Sequence, residues 1–394
     1  MSKKMIGFCL VFLMAVAIIG PDLIRAEEPK EIKIGATIAL SGRFKGLVGT
    51  FDKLGNEWAG LVNERGGIYV KEYGKKLPIR FEVYDDASKP ENARKFYEKM
   101  ATDPSIAFFM GPFSSFISNA AITVAGKYKI PMQMVEGNDA VLFENPNYWR
   151  VGSLVPAEDE WERLVPLYKK TGGVKTFATL TMDNLHNKGA TKGFEADLKE
   201  NGFEVVYSEI APPPTKNFAP MITRIRKEKP DVVCVEALST AFTIGFLKQM
   251  REAGFKPKEI IVGHVTKDVI DALGPYAENI TGLAYYYEGD TQDHKDYLEV
   301  LSRTGITWGE YMESGIRFWA YTRIKQAIEA AGTLDRKKIM DTLWNLKSKI
   351  LGLDSYVTKE GYGTLGAWPC QVQEGGFISI WPLDRAMKLH KFRQ

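Results

Sequence analysis

Apolar residues in this chain fall into short runs, each followed by a longer stretch in which they recur at helical spacing. Residues 32–40 alternate and cluster as a strand, closed by the turn Ser41-Gly42. Leu54, Trp58, Leu61 and Val62 then stand at i, i+4, i+7 and i+8, one face of a helix that stops at Gly66-Gly67. A strand over 79–84 leads to Ser88-Lys89-Pro90-Glu91, which reads as a capping box with proline in the first turn of a helix running through Met100. The unit repeats. Strands are predicted at 106–110, 131–135, 176–181, 204–210, 232–235 and 260–262, and helices end near Tyr128, Asn201, Glu228, Ala253 and Leu273. Tyr285-Tyr286-Tyr287 precedes a helical stretch over 311–331 with Ile316, Trp319, Ile324 and Ile328, and the chain from Leu353 onward is strand-like and glycine-rich. Strand and helix in turn predict α/β architecture, mostly parallel sheets covered on both faces. No low-complexity linker divides the chain, so two domains would exchange chain through short crossings.

The first 26 residues depart from this pattern. Lys3 and Lys4 precede an apolar run to Ile19, then a Gly-Pro break and Ile24-Arg25-Ala26, the layout of a cleaved export signal. The run is shorter than the ~20 residues that span a bilayer. The whole chain of 394 residues carries 52 basic and 49 acidic residues, net +3, and removal of the leader leaves 49 and 48, net +1. That balance argues against a nucleic-acid groove, which needs a basic excess on one face. Cys234 and Cys370 remain, in separate predicted strands, and read as two isolated buried thiols even in an oxidising compartment.

Enzyme motifs are missing. The chain has no H-E-x-x-H, G-x-S-x-G, P-loop or C-x-x-C, and two cysteines with four dispersed histidines suggest no zinc cluster. Gly361-x-Gly363-x-x-Gly366 matches a dinucleotide fingerprint literally, but Pro369 blocks the helix that must follow. Neither an enzyme nor a cofactor or metal protein is expected.

The order of loops carries a resemblance. Ile34-Gly35-Ala36 with Leu40-Ser41-Gly42, Asn63-Glu64-Arg65-Gly66-Gly67-Ile68, Tyr84-Asp85-Asp86-Ala87, Gly111-Pro112-Phe113-Ser114-Ser115, the Asp183 to Gly189 loop and the Tyr321 to Gly332 helix follow one another in a familiar sequence. Together they resemble the periplasmic substrate-binding proteins of branched-chain amino acid ABC transporters. The resemblance implies the two-lobed type I periplasmic binding protein fold with a three-crossing hinge. Lobe 1 is expected at 28–153 plus 288–360 and lobe 2 at 154–287 plus 361–394. It also implies a monomeric periplasmic receptor that takes a small molecule between its lobes and delivers it to membrane permease subunits.

The same resemblance and the rule that ligands bind beyond the carboxyl ends of strands point to one set of residues. Phe113, Ser114 and Ser115 open a helix whose free N–H groups suit a carboxylate, with Ser115 the favoured contact. Glu136, Gly137 and Asn138 form the next loop. His186, or Asn187 beside it, stands where relatives place a ligand-facing tyrosine, and Ser239 and Thr266 lie in later loops. Amino-acid binders commonly carry an acid for the ligand's ammonium near residues 263–267, and this chain has none before Asp268. Glu236 or Glu136 could replace it. Otherwise the ligand is an aromatic acid or other carboxylate without an amine, or an amide. A ligand sensor on the same fold is a further alternative.

Overall fold

The computed structural model describes residues 28–48, 51–144, 147–307, 310 and 313–393. The leader predicted at 1–26 lies outside them, as do Tyr311 and Met312 at the start of the predicted late helix.

The first half of the chain runs β1 (Ile32–Ile38), α1 (Lys45–Val48), α2 (Phe51–Glu64), β2 (Ile68–Val70), β3 (Lys75–Leu77), β4 (Ile79–Asp85), α3 (Pro90–Ala101), β5 (Ile106–Met110), α4 (Ser115–Tyr128), β6 (Met132–Gln133), α5 (Val141–Glu144) and β7 (Arg150–Val151). Five of these strands form a parallel sheet in the order β4-β1-β5-β6-β7, and β2 and β3 make a separate hairpin. Residues 106–110 are buried throughout, as expected of a strand covered on both faces.

The second half adds α6 (Leu164–Thr171), β8 (Thr176–Met182), α7 (Leu185–Glu200), β9 (Glu204–Ala211), α8 (Ala219–Glu228), β10 (Val232–Glu236), α9 (Thr240–Glu252), β11 (Glu259–Val262), α10 (Lys267–Leu273) and β12 (Ile280–Ala284). Then come α11 (Gln292–Thr304), α12 (Ser314–Ala331), α13 (Arg336–Asn345), the hairpin β13 (Ser348–Ile350) and β14 (Leu353–Ser355), β15 (Trp368–Gln373) and β16 (Gly376–Ser379). The second sheet is ordered β16-β15-β12-β11-β10-β8-β9. Its five αβ strands are parallel, while β15 and β16 close one edge antiparallel. The alternation read from the sequence therefore forms two sheets, and both belong to one compact unit, Glu31–Gln394.

The chain passes between the sheets more than once. Helices α11 and α12 return to α2 beside the first sheet, where Arg303 pairs with Glu64 and Arg65 with Asp296. Beyond β7, Gly152 N–H donates to the Gly361 carbonyl at 2.7 Å and Gly363 N–H to the Leu154 carbonyl at 3.0 Å. Two crossings are thus tied side by side. The glycines of the literal dinucleotide motif serve here. Gly361 has φ +101°, a Cβ on Gly363 would lie 2.1 Å from the Ser153 carbonyl oxygen, and strand β15 follows instead of a helix.

Local expectations differ from the structure at Ser88. It does not cap α3: Lys89 holds the N-cap position without a side-chain bond. Ser88 has φ +61°, and its hydroxyl accepts from Phe44 N–H and donates to the Ser41 carbonyl, tying two loops together. Proline at the first helical position is enough to start the helix. Cys234 and Cys370 are both free and buried.

Candidate functional site

Strand direction concentrates the polar chemistry. In both sheets the carboxyl ends of the parallel strands lead into one cavity. Phe113 and Ser114 follow β5, Glu136 follows β6, and Leu154 and Glu160 follow β7. From the second sheet, His186 follows β8, Leu238 follows β10, His264 follows β11 and Tyr285 follows β12. Glu313 and Ile316, at the start of α12, complete the lining. Residues from both sheets therefore face the same space, as the carboxyl-end rule for open α/β sheets requires.

Ser114 is the N-cap residue of α4, with φ +70°, and its buried hydroxyl makes no hydrogen bond among the described residues. It faces the cavity at the positive end of a 14-residue helix. Ser115, the contact favoured from the sequence, is one residue further in. Its hydroxyl accepts from Asp139 N–H at 3.2 Å and is not part of the cavity lining. Gly137 packs against Ser118, where a Cβ would meet the hydroxyl at 2.7 Å. Ser239 and Thr266 are N-caps of α9 and α10, accepting from Phe242 and Val269 N–H. The structure thus gathers Phe113, Ser114, Glu136 and His186 on the cavity wall and places Ser115, Gly137, Ser239 and Thr266 off it.

His186 lies in the first turn of α7, not in a loop. Asn184 caps that helix by accepting from His186 N–H. Asn187, the alternative at this position, turns its amide to the Met182 carbonyl. Asn138 supports His186 from behind. Its amide nitrogen donates to the Val155 carbonyl at 3.1 Å, which directs its oxygen to His186 Nδ1 at 3.0 Å. With the Asn138 oxygen as acceptor, Nδ1 carries a hydrogen and Nε2 is turned toward Glu160 and Glu236.

The acids divide into two kinds. Glu136 is used internally: its carboxylate meets Arg317 through Nε at 2.8 Å and Nη2 at 3.0 Å, both groups fully buried. Burial pushes the Glu136 carboxyl up to about 7, with Arg317 pulling the other way. Among the described residues Glu160, Glu236 and Glu313 form no ion pair with an arginine and face histidines instead. Burial raises the pKa of Glu160 and of Glu313, and the nearby histidines oppose the rise. His186 Nε2 stands 3.3 Å from Glu160 and 4.0 Å from Glu236, and His264 Nδ1 stands 3.4 Å from Glu236. Burial lowers the His264 pKa, but Glu236, Glu313 and Glu160 together outweigh it and hold it at about 9. Glu236 ends strand β10 and sits beside the two histidines, away from the cavity lining. Neither of its oxygens makes a hydrogen bond among the described residues, although the residue is 2% exposed.

Gly263 makes room for that carboxylate. A Cβ at 263 would fall 1.5 Å from Glu236 Oε2 and 2.9 Å from the Trp161 ring. The loop that lacks the expected acid thus packs directly against the carboxylate of the neighbouring strand.

Glu160, His264, Glu313 and the apolar Leu154, Leu238, Tyr285 and Ile316 were not singled out as site residues from the sequence. Glu160 and Glu313 lie in turns before helices, where no periodicity marks them. His264 does follow a predicted strand directly, a signal that was available. Two of the four histidines described above as dispersed come together. His186, Glu236 and His264 bring donor atoms within 4.8 Å of one another, because three strand ends converge.

Comparisons with known proteins agree with this fold. The family model described as "Periplasmic binding protein" matches residues 31–376. A Leu/Ile/Val-binding protein homolog of Brucella suis is 25% identical over 97% of both chains. Among solved structures, the branched-chain amino acid transporter substrate-binding protein LivJ of Streptococcus pneumoniae, in complex with isoleucine, superposes with a TM-score of 0.76 at 16% identity, covering 88% of this chain and 98% of that one. A solute-binding protein of an R. palustris ABC transporter, in complex with benzoate, gives 0.73 at 16% identity, covering 89% and 95%. The fold is that of the type I periplasmic binding proteins, which are receptors, not enzymes. With a family model spanning most of its length, the chain belongs to the periplasmic binding protein family.

Proposed function

We propose that this protein is the periplasmic receptor of an ABC importer and that its ligand is a small hydrophobic amino acid. In this reading residues 28–153 plus 288–360 and 154–287 plus 361–394 move as two lobes, with crossings near 153, 287 and 360. Ligand contacts made only in the closed form favour closure, and the closed form docks on membrane permease subunits. Among the described residues no helix is long and apolar enough to cross a membrane.

One observation carries the choice of ligand. The cavity wall presents Glu160 and Glu313, while Arg317 is engaged with Glu136. An ammonium compensates buried carboxylates, and an unpaired buried charge costs several kcal/mol. Glu313, with Glu160 across the cavity, is assigned to the ammonium, and Ser114 with the α4 N-terminus to the ligand carboxylate. Phe113, Leu154, Leu238, Tyr285 and Ile316 supply an apolar wall for the side chain. The benzoate complex of the R. palustris protein supports a second reading, an aromatic acid without an amine, with the protonated His264 as its counter-charge. Calorimetric titration with leucine, phenylalanine, benzoate and short amides separates the two. Binding of the amino acids is expected, and a response to benzoate alone would discard the ammonium assignment.

A further inference from the structure

We propose that His186, Glu236 and His264 hold a divalent transition-metal ion of the zinc, cobalt or nickel class, with an open coordination position toward the cavity. The site goes beyond the amino-acid reading and uses none of the atoms assigned there to the ligand. Three observations carry it.

The donor set comes first. Two imidazoles and a carboxylate form the three-ligand combination that binds zinc while leaving a position open, and imidazole selects transition metals over magnesium and calcium. The spacing is second. Donors at 2.0–2.2 Å around a tetrahedral ion lie about 3.3 Å apart. His264 Nδ1 and Glu236 Oε1 are 3.4 Å apart, Glu236 Oε1 and His186 Nε2 are 4.0 Å apart, and all three donors fall within 4.8 Å of one another. Small side-chain rotations close the remainder. Glu160, 3.3 Å from His186 Nε2, stands beside the set.

The third observation is what surrounds the donors. Glu236 is 2% exposed, yet neither of its oxygens, nor His264 Nδ1, makes a hydrogen bond among the described residues. Native proteins seldom leave such groups unsatisfied inside. His186, in contrast, is oriented. Asn138 holds its Nδ1–H, so that Nε2 points toward Glu236 and Glu160. A hydrogen bond to the far nitrogen is the usual support of a metal-bound histidine. Asn138 is thus a positioning residue for the ion.

The test uses tag-free full-length protein stripped with chelator and dialysed. Equilibrium dialysis against Zn²⁺ should give one ion per chain, and Co²⁺ should give visible bands that Zn²⁺ abolishes. Glu236→Gln and His264→Gln should each weaken uptake at least tenfold, and Asn138→Ala should weaken it by about 10- to 100-fold. Absence of stoichiometric uptake by the wild-type protein would overturn the proposal. So would wild-type affinity in folded Glu236→Gln or in the His186→Gln/His264→Gln double variant. If those variants do not fold, the cobalt spectrum of the wild-type protein decides alone, and no visible bands would reject the site. Leucine titrations with and without chelator keep the two readings separate. Leucine binding to protein that takes up no metal would sink the metal site alone, and metal uptake without leucine binding would sink the amino-acid reading alone.

Discussion

Two buried carboxylates stand at opposite ends of neighbouring strands in the second sheet, and they have opposite surroundings. Glu259 opens β11, paired in register with Val232, the first residue of β10. Its carboxylate accepts from the Thr281 hydroxyl and meets His390 Nε2 at 3.0 Å. The returning C-terminal segment seals this end. Gln371 bonds Lys391 through both its amide nitrogen and oxygen, Gln373 reaches the Leu389 carbonyl, and Arg393 donates to the Glu278 and Tyr276 carbonyls. Glu236 ends β10 with two histidines nearby and no hydrogen bond among the described residues. The same residue type in the same sheet is satisfied at the amino end of the strands and unsatisfied at the carboxyl end. The first arrangement holds a fold together; the second leaves a buried carboxylate facing two histidines at the end where open sheets bind ligands.

The contrast can be broken by mutation. Glu259→Gln should cost about 3–5 kcal/mol in urea unfolding, because it breaks a buried pair and leaves His390 without its partner. Glu236→Gln should cost less, because Glu236 makes no hydrogen bond among the described residues and meets His264 only at 3.4 Å. Equal losses at both positions would erase the distinction.

Glu136 sharpens it, being buried and paired yet raised to about 7. Its folded pKa exceeds the ordinary carboxylate value, so the native state binds more protons than the unfolded chain between about pH 4.5 and 7. Stability from this group is complete below that window and is lost as pH rises through it, by about 3 kcal/mol. Arg317, Glu313, Tyr321 and Tyr97 share its surroundings. A Glu136→Gln/Arg317→Met variant should lack this component, and unfolding curves across the window that parallel those of the wild type would remove it from the account.

Smaller effects separate binding from capping. Glu313→Gln should weaken leucine binding at least tenfold, about 1.4 kcal/mol, with little loss of stability, and unchanged affinity would exclude Glu313 as the ammonium partner. Thr266→Ala should do the reverse. Loss of an N-cap costs about 1 kcal/mol in thermal unfolding, and leucine affinity should stay within twofold. A tenfold fall in affinity would instead return Thr266 to the ligand.

The fold was legible because its signals are local. Apolar runs, helical spacing and turn glycines marked most strands and helices in order along the chain. Part of the site was legible for the same reason: Ser114, Glu136 and His186 follow strands directly, where open sheets bind ligands. Glu160 and Glu313 lie in turns and carry no period. The grouping of His186, Glu236 and His264 depends on which strands become neighbours, and no local pattern states that. Ser88 shows the opposite error. It matched a capping box, but the tertiary bonds to Phe44 and Ser41 claimed its hydroxyl first.

Gly263 gives the cleft a single point of control. The Glu236 carboxylate lies in the volume that any side chain at 263 would fill. Replacing this glycine with alanine would evict the acid without altering the acid itself. One codon away from the present sequence there is thus a protein with the same strands and helices and a different placement of charge behind the cleft wall. A lineage could change what such a receptor accepts by adding a methyl group to a turn.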